Sequence, residues 1–119
     1  MSKSILQDKS FQFAVRIINV YKQLVSEQKE FVLSKQLLRS GTSVGANIRE
    51  AQNAQSIKDF IHKLSISQKE CDETMYWLEL LNETAYLPQK EMESLHSDAT
   101  ELIKMLKSAI ITSKNKKQG

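Results

Sequence analysis

Glycine and proline are scarce in this chain, with three and one occurrences among 119 residues. Both break regular structure, so their scarcity disfavours a turn-rich β fold. No apolar run approaches the ~18 residues of a membrane span, and residues 1–10 lack the apolar core of a secretory signal. Cys71 is the single cysteine, which excludes an internal disulfide and suits a reducing interior. We therefore expect a cytosolic helical protein that does not enter a membrane.

The net charge is only +3, but the charges are unevenly distributed. Residues 1–50 carry eight Lys or Arg against four acids, and residues 51–103 carry four against ten. Residues 104–119 carry five lysines and no acid. This pattern favours an anionic partner or contacts between copies of the chain.

Four segments repeat apolar residues with the period of amphipathic helices, and they cover residues 10–27, 31–53, 56–84 and 89–113. Ser10 is the predicted N-cap of helix one, and Ser56 with Asp59 forms a capping pattern for helix three. A basic tail at 114–119 is predicted to be disordered. Because short connections make neighbouring helices antiparallel, the fold predicted for residues 1–113 is an all-α, antiparallel up-down-up-down four-helix bundle.

Gly41 and Gly45 lie inside helix two, where each costs about 1 kcal/mol relative to alanine. A close approach by a neighbouring helix would explain them, since glycine leaves room for another backbone. The charged flanks exclude a membrane GxxxG motif.

Helix three carries more apolar surface than one bundle face needs. An oligomer interface is predicted there, formed by Ile66, Glu70, Glu73, Trp77 and Leu80. Its expected counterpart is the basic face of helix one or two in another copy. The alternative is that helix three is buried on two sides within one chain.

No catalytic constellation is found. Asp59 with His62 and Glu93 with His96 have carboxylate-x-x-His spacing, but the two histidines would lie roughly 20 Å apart along the bundle. Cys71 falls on a core face with no obvious base nearby. Gly41 to Gly45 lacks the Lys-Ser/Thr of a phosphate loop. We expect no catalytic residue, no metal site and no cofactor, and therefore a protein that is not an enzyme.

Four polar residues border the apolar faces near the junction of helices two and three, namely Ser43, Asn47, Glu50 and Asp59. A buried polar group without a partner costs ~1–3 kcal/mol. Hydrogen bonds that tie this junction are the preferred interpretation, and a ligand site is the alternative.

Several motifs resemble a family of small bacterial four-helix-bundle proteins known from intervening sequences inside 23S ribosomal RNA genes. The resemblance extends over most of the chain and is carried by SVGANIREA at 43–51, SIKDF at 56–60, LSI at 64–66, Glu73 and YWLELL at 76–81. It implies a non-enzymatic bundle that assembles as a homopentamer. Accessory proteins of diversity-generating retroelements are similar in fold, which implies nucleic acid and a reverse transcriptase as partners.

The leading functional hypothesis is an oligomeric module that binds RNA or DNA with weak sequence specificity. Its candidate contacts are Arg16, Lys35, Arg39, Arg49, Lys114, Lys116 and Lys117. In the alternative these charges serve only solubility, or pair with helix-three acids of the next subunit. The rival function is a protein-interaction scaffold that binds no nucleic acid.

Overall fold

The computed structural model describes the backbone of residues 4–118 and the side chains of residues 4–116. It contains four helices: α1 (Ile5–Ser26), α2 (Leu33–Gln52), α3 (Ile57–Glu83) and α4 (Gln89–Gln118). No strand occurs between residues 4 and 118, and the predicted all-α four-helix fold is confirmed. The molecule measures 51 × 23 × 21 Å, the shape of long helices packed side by side.

Consecutive helices pack against each other, and α1 closes the bundle against α4. Cross-helix contacts fix the directions: Lys9 and Arg16 of α1 pair with Glu101 and Asp98 of α4 in reverse order. A single core fills the interior, and its largest fully buried side chains include Phe13, Ile17, Leu37, Ile48, Leu64, Leu78, Leu102 and Leu106. Each such side chain contributes about 1.5–3 kcal/mol by leaving water.

The helix ends differ from the predicted bounds by more than two residues in two places. Helix α1 begins at Ile5, because Ser4 and Gln7 form a capping box. The predicted cap Ser10 is instead buried inside the helix, with its Oγ donating to the carbonyl of Gln7 at 3.0 Å. Helix α4 continues to Gln118, so the predicted disordered tail is helical at residues 114–118. Lysine and glutamine, four of these five residues, are good helix formers.

Helix α2 has no side-chain cap at Val32, and Glu30 supplies one from the preceding turn. The buried carboxylate of Glu30 accepts hydrogen bonds from the backbone N–H groups of Val32, Leu33 and Ser34 at 2.7–3.2 Å. Burial alone would raise the pKa of Glu30, but these donors outweigh it and lower the pKa. The carboxylate therefore satisfies amides that the first helical turn leaves free.

The contact between α1 and α2 is close at Gly41, as its position in helix two predicts. A Cβ atom at Gly41 would lie 2.7 Å from Cγ2 of Ile17, whereas one at Gly45 would lie 3.4 Å from the carbonyl oxygen of Ser10. Only the distance at Gly41 is so short that neighbouring atoms would have to move to admit a side chain. Gly41 therefore fixes how closely the two helices approach.

Candidate nucleic-acid interface

Arg39 of α2 is held by two carboxylates of α3. Its guanidinium donates to both oxygens of Glu70 at 3.3 Å and forms a second ion pair with Glu73. The indole N–H of Trp77 donates to Glu73 at 2.9 Å. This Trp77 hydrogen bond and the one from Arg39 lower the pKa of Glu73 against the opposing effect of burial. Arg39 therefore ties α2 to α3 within one chain, and its charge is already paired with carboxylates there.

The interface predicted on helix three includes the same residues. Ile66, Trp77 and Leu80 are half-buried, and Trp77 packs against the core. Trp77 is therefore partly covered within one chain, and its indole N–H is bonded to Glu73. The exposed aromatic residue is its neighbour Tyr76, whose ring meets that of Trp77 edge-on at 5.2 Å.

Arg16 is also engaged within the chain. Its Nη1 donates to Asp98 at 2.6 Å and its Nη2 to Ser94 at 3.1 Å, both on α4. Lys9 forms a parallel ion pair with Glu101 at 2.6 Å. These two pairs join α1 to α4, so Arg16 is a closing contact of the bundle.

Lys35 and Arg49 are exposed and form no ion pair with another described residue. They lie 14 positions apart on α2, about 21 Å along the helix axis. Arg49 also borders a shallow groove of about 320 Å³ between α1 and α2. The two cations are thus isolated from each other.

The C-terminal half of α4 contains the densest set of unpaired cations among the described side chains. Lys114 and Lys116, both predicted contacts, are exposed there, and the side chain of Lys117 lies outside the described residues. Lys104 and Lys107, which the sequence reasoning missed, are exposed on the same helix. None of these four described lysines has an ion-pair partner among residues 4–116.

Three of these lysines line one side of α4. Lys104, Lys107 and Lys114 recur at helical spacing with exposed Ile111 between them, and the last acid of the chain is Glu101. That spacing and the missing acids were visible in the sequence and could have identified Lys104 and Lys107. We name these three lysines the α4 lysine stripe.

The polar residues near the junction of α2 and α3 have mainly local partners. Asn47 donates to the carbonyl of Ser43 at 2.9 Å, and Ser43 donates to that of Arg39 at 2.6 Å, all within α2. The backbone N–H of Asp59 bonds to the capping Oγ of Ser56 at 3.0 Å. Glu50 does reach α3, through an ion pair with Lys63 at 2.8 Å.

Buried hydroxyl groups make the remaining polar contacts between α2 and α3. Ser67 Oγ donates to the carbonyl of Val44 at 2.8 Å, and Thr74 Oγ1 donates to Ser40 Oγ at 2.9 Å. All three side chains are fully buried. Sequence reasoning missed them, because serine and threonine also occupy solvent-facing helix positions.

The structure offers little for catalysis. Cys71 is buried, and this burial, with a smaller effect of Asp72, raises the pKa of its thiol to about 12. Its Sγ lies 3.4 Å from the carbonyl oxygen of Ala99. Residues 4–116 contain no group of three His, Cys, Asp or Glu side chains that could hold a metal ion. Within the same range, no helix is both long and apolar enough to cross a membrane.

Comparison with known proteins identifies the family. A sequence model described as "23S rRNA-intervening sequence protein" matches residues 2–108. The chain belongs to this family. The match includes Lys104 and Lys107 and ends before Lys114 and Lys116. No curated protein matches the chain significantly.

A solved member of the S23 ribosomal protein family supports both the family and the fold. This protein from Bacteroides thetaiotaomicron VPI-5482, described as having unknown function, is 61% identical to the chain. The alignment covers 89% of this chain and 98% of the other, with a TM-score of 0.88. The intervening-sequence protein family therefore supplies the fold without assigning a reaction.

Proposed function

We propose that this intervening-sequence protein is a non-enzymatic, oligomeric module that binds the phosphate backbone of RNA or DNA. One observation carries the proposal: the α4 lysine stripe has no ion-pair partner among the described residues, and no acid follows Glu101. Arg16 and Arg39 already have carboxylate partners. The exposed lysines of α4 are therefore the cations most available to an anionic ligand.

Lysine is a flexible point charge, and it suits phosphate contacts more than the reading of base edges. We therefore expect weak sequence specificity. Lys116 extends the surface along α4, while Lys35 and Arg49 would add isolated contacts from α2. With a net charge of +3, a single chain has a small electrostatic footprint.

Assembly would compensate for that small footprint. The family resemblance implies a homopentamer, in which the α4 lysine stripe would occur five times and phosphate contacts would add across subunits. The proposal places the protein in the cytoplasm, where its lone thiol stays reduced. A reverse transcriptase is the protein partner that the retroelement resemblance implies.

The test is a titration of the purified protein into a fluorescent structured RNA and into a DNA duplex, read by anisotropy at several salt concentrations. We expect saturable binding. The logarithm of the association constant should fall linearly with the logarithm of the salt concentration, with a slope of roughly −0.7 to −0.9 per phosphate contact. Native mass spectrometry of the same sample checks for five copies.

A matched pair of variants assigns the binding surface. Lys104→Glu/Lys107→Glu changes the α4 lysine stripe, and Lys22→Glu/Lys29→Glu makes the same charge change on exposed lysines of α1 and the following turn. Only the first should weaken binding strongly. No binding by the wild type even at low salt would contradict the proposal and favour the protein-interaction scaffold.

A further inference from the structure

The outward side of α3 carries a charge pattern that reverses at its midpoint. Positions three and four residues apart fall on this side, in the order Lys58, His62, Ser65, Lys69, Asp72, Tyr76, Glu79, Glu83. All are exposed except Ser65, which is half-buried. The first half contains two lysines and no acid, and the second contains three acids and no lysine. We name this row the α3 charge stripe.

The pattern is complementary to itself in the antiparallel direction. Consider a second α3 that packs antiparallel against the first, with the point between Lys69 and Asp72 of both helices at the same level. Each residue of the stripe then faces a defined residue of the other copy. Asp72 then faces Lys69 of the other copy, and Glu83 faces Lys58. Glu79 faces His62, and Tyr76 faces the small Ser65. No like charges are opposed within the α3 charge stripe.

The outward side of α4 becomes basic at the same level. Lys90 and Glu93 precede this reversal and together carry no net charge, Ser97 and Thr100 are neutral, and Lys104 and Lys107 follow. The contact of Cys71 Sγ with the carbonyl oxygen of Ala99 places the two reversal points side by side. The ion pair of Glu79 with His96 at 3.0 Å joins the two helices on the acidic half.

We propose that a second copy of this chain docks on the α3 charge stripe through a twofold axis crossing α3 between Lys69 and Asp72. A twofold contact uses the same patch on both copies, in opposite directions. The charges of such a patch must therefore be complementary to the same charges read in reverse, as those of the α3 charge stripe are.

Several charged side chains of the α3 charge stripe have no partner within the described chain, which favours a second copy as the binding partner. Lys58, Lys69, Asp72 and Glu83 are exposed and form no ion pair or hydrogen bond through their side chains with other described residues. An anionic ligand would be repelled by the acidic half of the stripe, and a cationic one by the basic half. Tyr76, 55% exposed, supplies an aromatic group on each side of the twofold axis.

The two-residue charge reversals make the proposal testable. Lys58→Glu/Lys69→Glu makes the whole stripe acidic, and Asp72→Lys/Glu83→Lys makes most of it basic. Each variant alone should lose the twofold contact. A mixture of the two should regain it, because both halves of the mixed contact are again complementary. Lys22→Glu/Lys29→Glu is the control with the same charge change as the first variant.

The readout is the native mass at tens of micromolar protein, without nucleic acid. If the unit is one chain, wild type and control should have twice the mass of either variant alone, and if it is a ring of five they should have a larger mass than either variant. The equimolar mixture should recover the wild-type mass. In about 1 M salt, where the Debye length is ~3 Å, the wild-type mass should fall to that of the variants. Thermal unfolding checks that each variant is folded.

Equal masses of wild type and both variants would overturn the twofold contact, and so would a mixture that stays at the variant mass. Both outcomes are independent of the proposed function, because the variants keep every lysine of α4. Loss of RNA binding by Lys104→Glu/Lys107→Glu is measured separately.

Discussion

The seam between α2 and α3 and the outer side of α4 both carry long cations, but their surroundings differ. Arg39 at the seam contacts Glu70 and Glu73, and Glu73 is also bonded to Trp77. Lys104 and Lys107 on α4 have no such partner among the described residues. Residues that look alike in the sequence as exposed cations therefore have different roles. Arg39 helps to hold the bundle together, whereas Lys104 and Lys107 remain available to a ligand.

The largest stability effect should come from the close contact of α1 with α2 at Gly41. In Gly41→Ala, the new Cβ would lie 2.7 Å from buried Ile17, so the helices must move apart. Overpacking costs typically 1–3 kcal/mol, and alanine returns about 1 kcal/mol of helix propensity. We expect a net loss of up to about 2 kcal/mol in the free energy of unfolding, measured by urea denaturation.

Gly45→Ala is the matched control. Its Cβ would make an ordinary contact of 3.4 Å with Ser10, so the gain in helix propensity should dominate. We expect the free energy of unfolding to stay equal or to rise by up to about 1 kcal/mol. Equal losses in both variants would contradict the role of Gly41 in setting the approach of the helices.

Removing the cation of the α2–α3 seam should have a smaller effect. Arg39→Met keeps the apolar stem and removes the ion pairs with Glu70 and Glu73. Because the Arg39 side chain is 50% exposed, we expect a loss of about 1 kcal/mol or less in unfolding free energy. Arg49→Met, which removes an unpaired cation of the same helix, should change it by less than about 0.5 kcal/mol.

The smallest effect concerns pH. The folded-state pKa of Glu73 is lowered, so this carboxylate stabilises the fold above its ordinary pKa of 4.5 and loses that contribution as pH falls through the lower folded value. The stability difference between wild type and Glu73→Gln, about 1 kcal/mol or less at pH 7, should therefore shrink below pH 4.5. A pH series of thermal unfolding measures it.

A second background sharpens the pH prediction. If Arg39 helps to lower the pKa of Glu73, Glu73→Gln should have a smaller effect in the Arg39→Met protein. An effect of the same size in both backgrounds would mean that Trp77 alone provides the stabilisation.

The helices were predictable because their apolar periodicity is a local property of the sequence. The position of Gly41 also indicated a close helix contact. The partners of Arg16 and Arg39 were not predictable in the same way, since they depend on the rotation of each helix against its neighbour. The pattern of charges predicted Arg39 as a nucleic-acid contact or, in the alternative, as a partner of helix-three acids in another subunit, whereas the structure pairs it with acids of the same chain.

The missed features have specific causes. The capping box at Ser4 and Gln7 lay upstream of the first strong apolar periodicity, and Ser10 was a more familiar N-cap position. Lys104 and Lys107 were not predicted as contacts, although their helical spacing with Lys114 is visible in the sequence. Glu30 could not be assigned as a cap before the turn geometry was known.

The central claim is that paired cations hold the bundle together whereas the α4 lysine stripe binds phosphate. The most direct test compares Arg39→Met with Lys104→Glu/Lys107→Glu in two assays, RNA affinity by anisotropy and thermal unfolding. We predict that Arg39→Met lowers the melting temperature. It should change RNA affinity less than about twofold, because Glu70 and Glu73 already neutralise the charge of Arg39 in the wild type. The lysine variant should weaken RNA binding about tenfold or more at low salt, without a lower melting temperature. An Arg39→Met protein that loses RNA binding as strongly as the lysine variant would contradict the account.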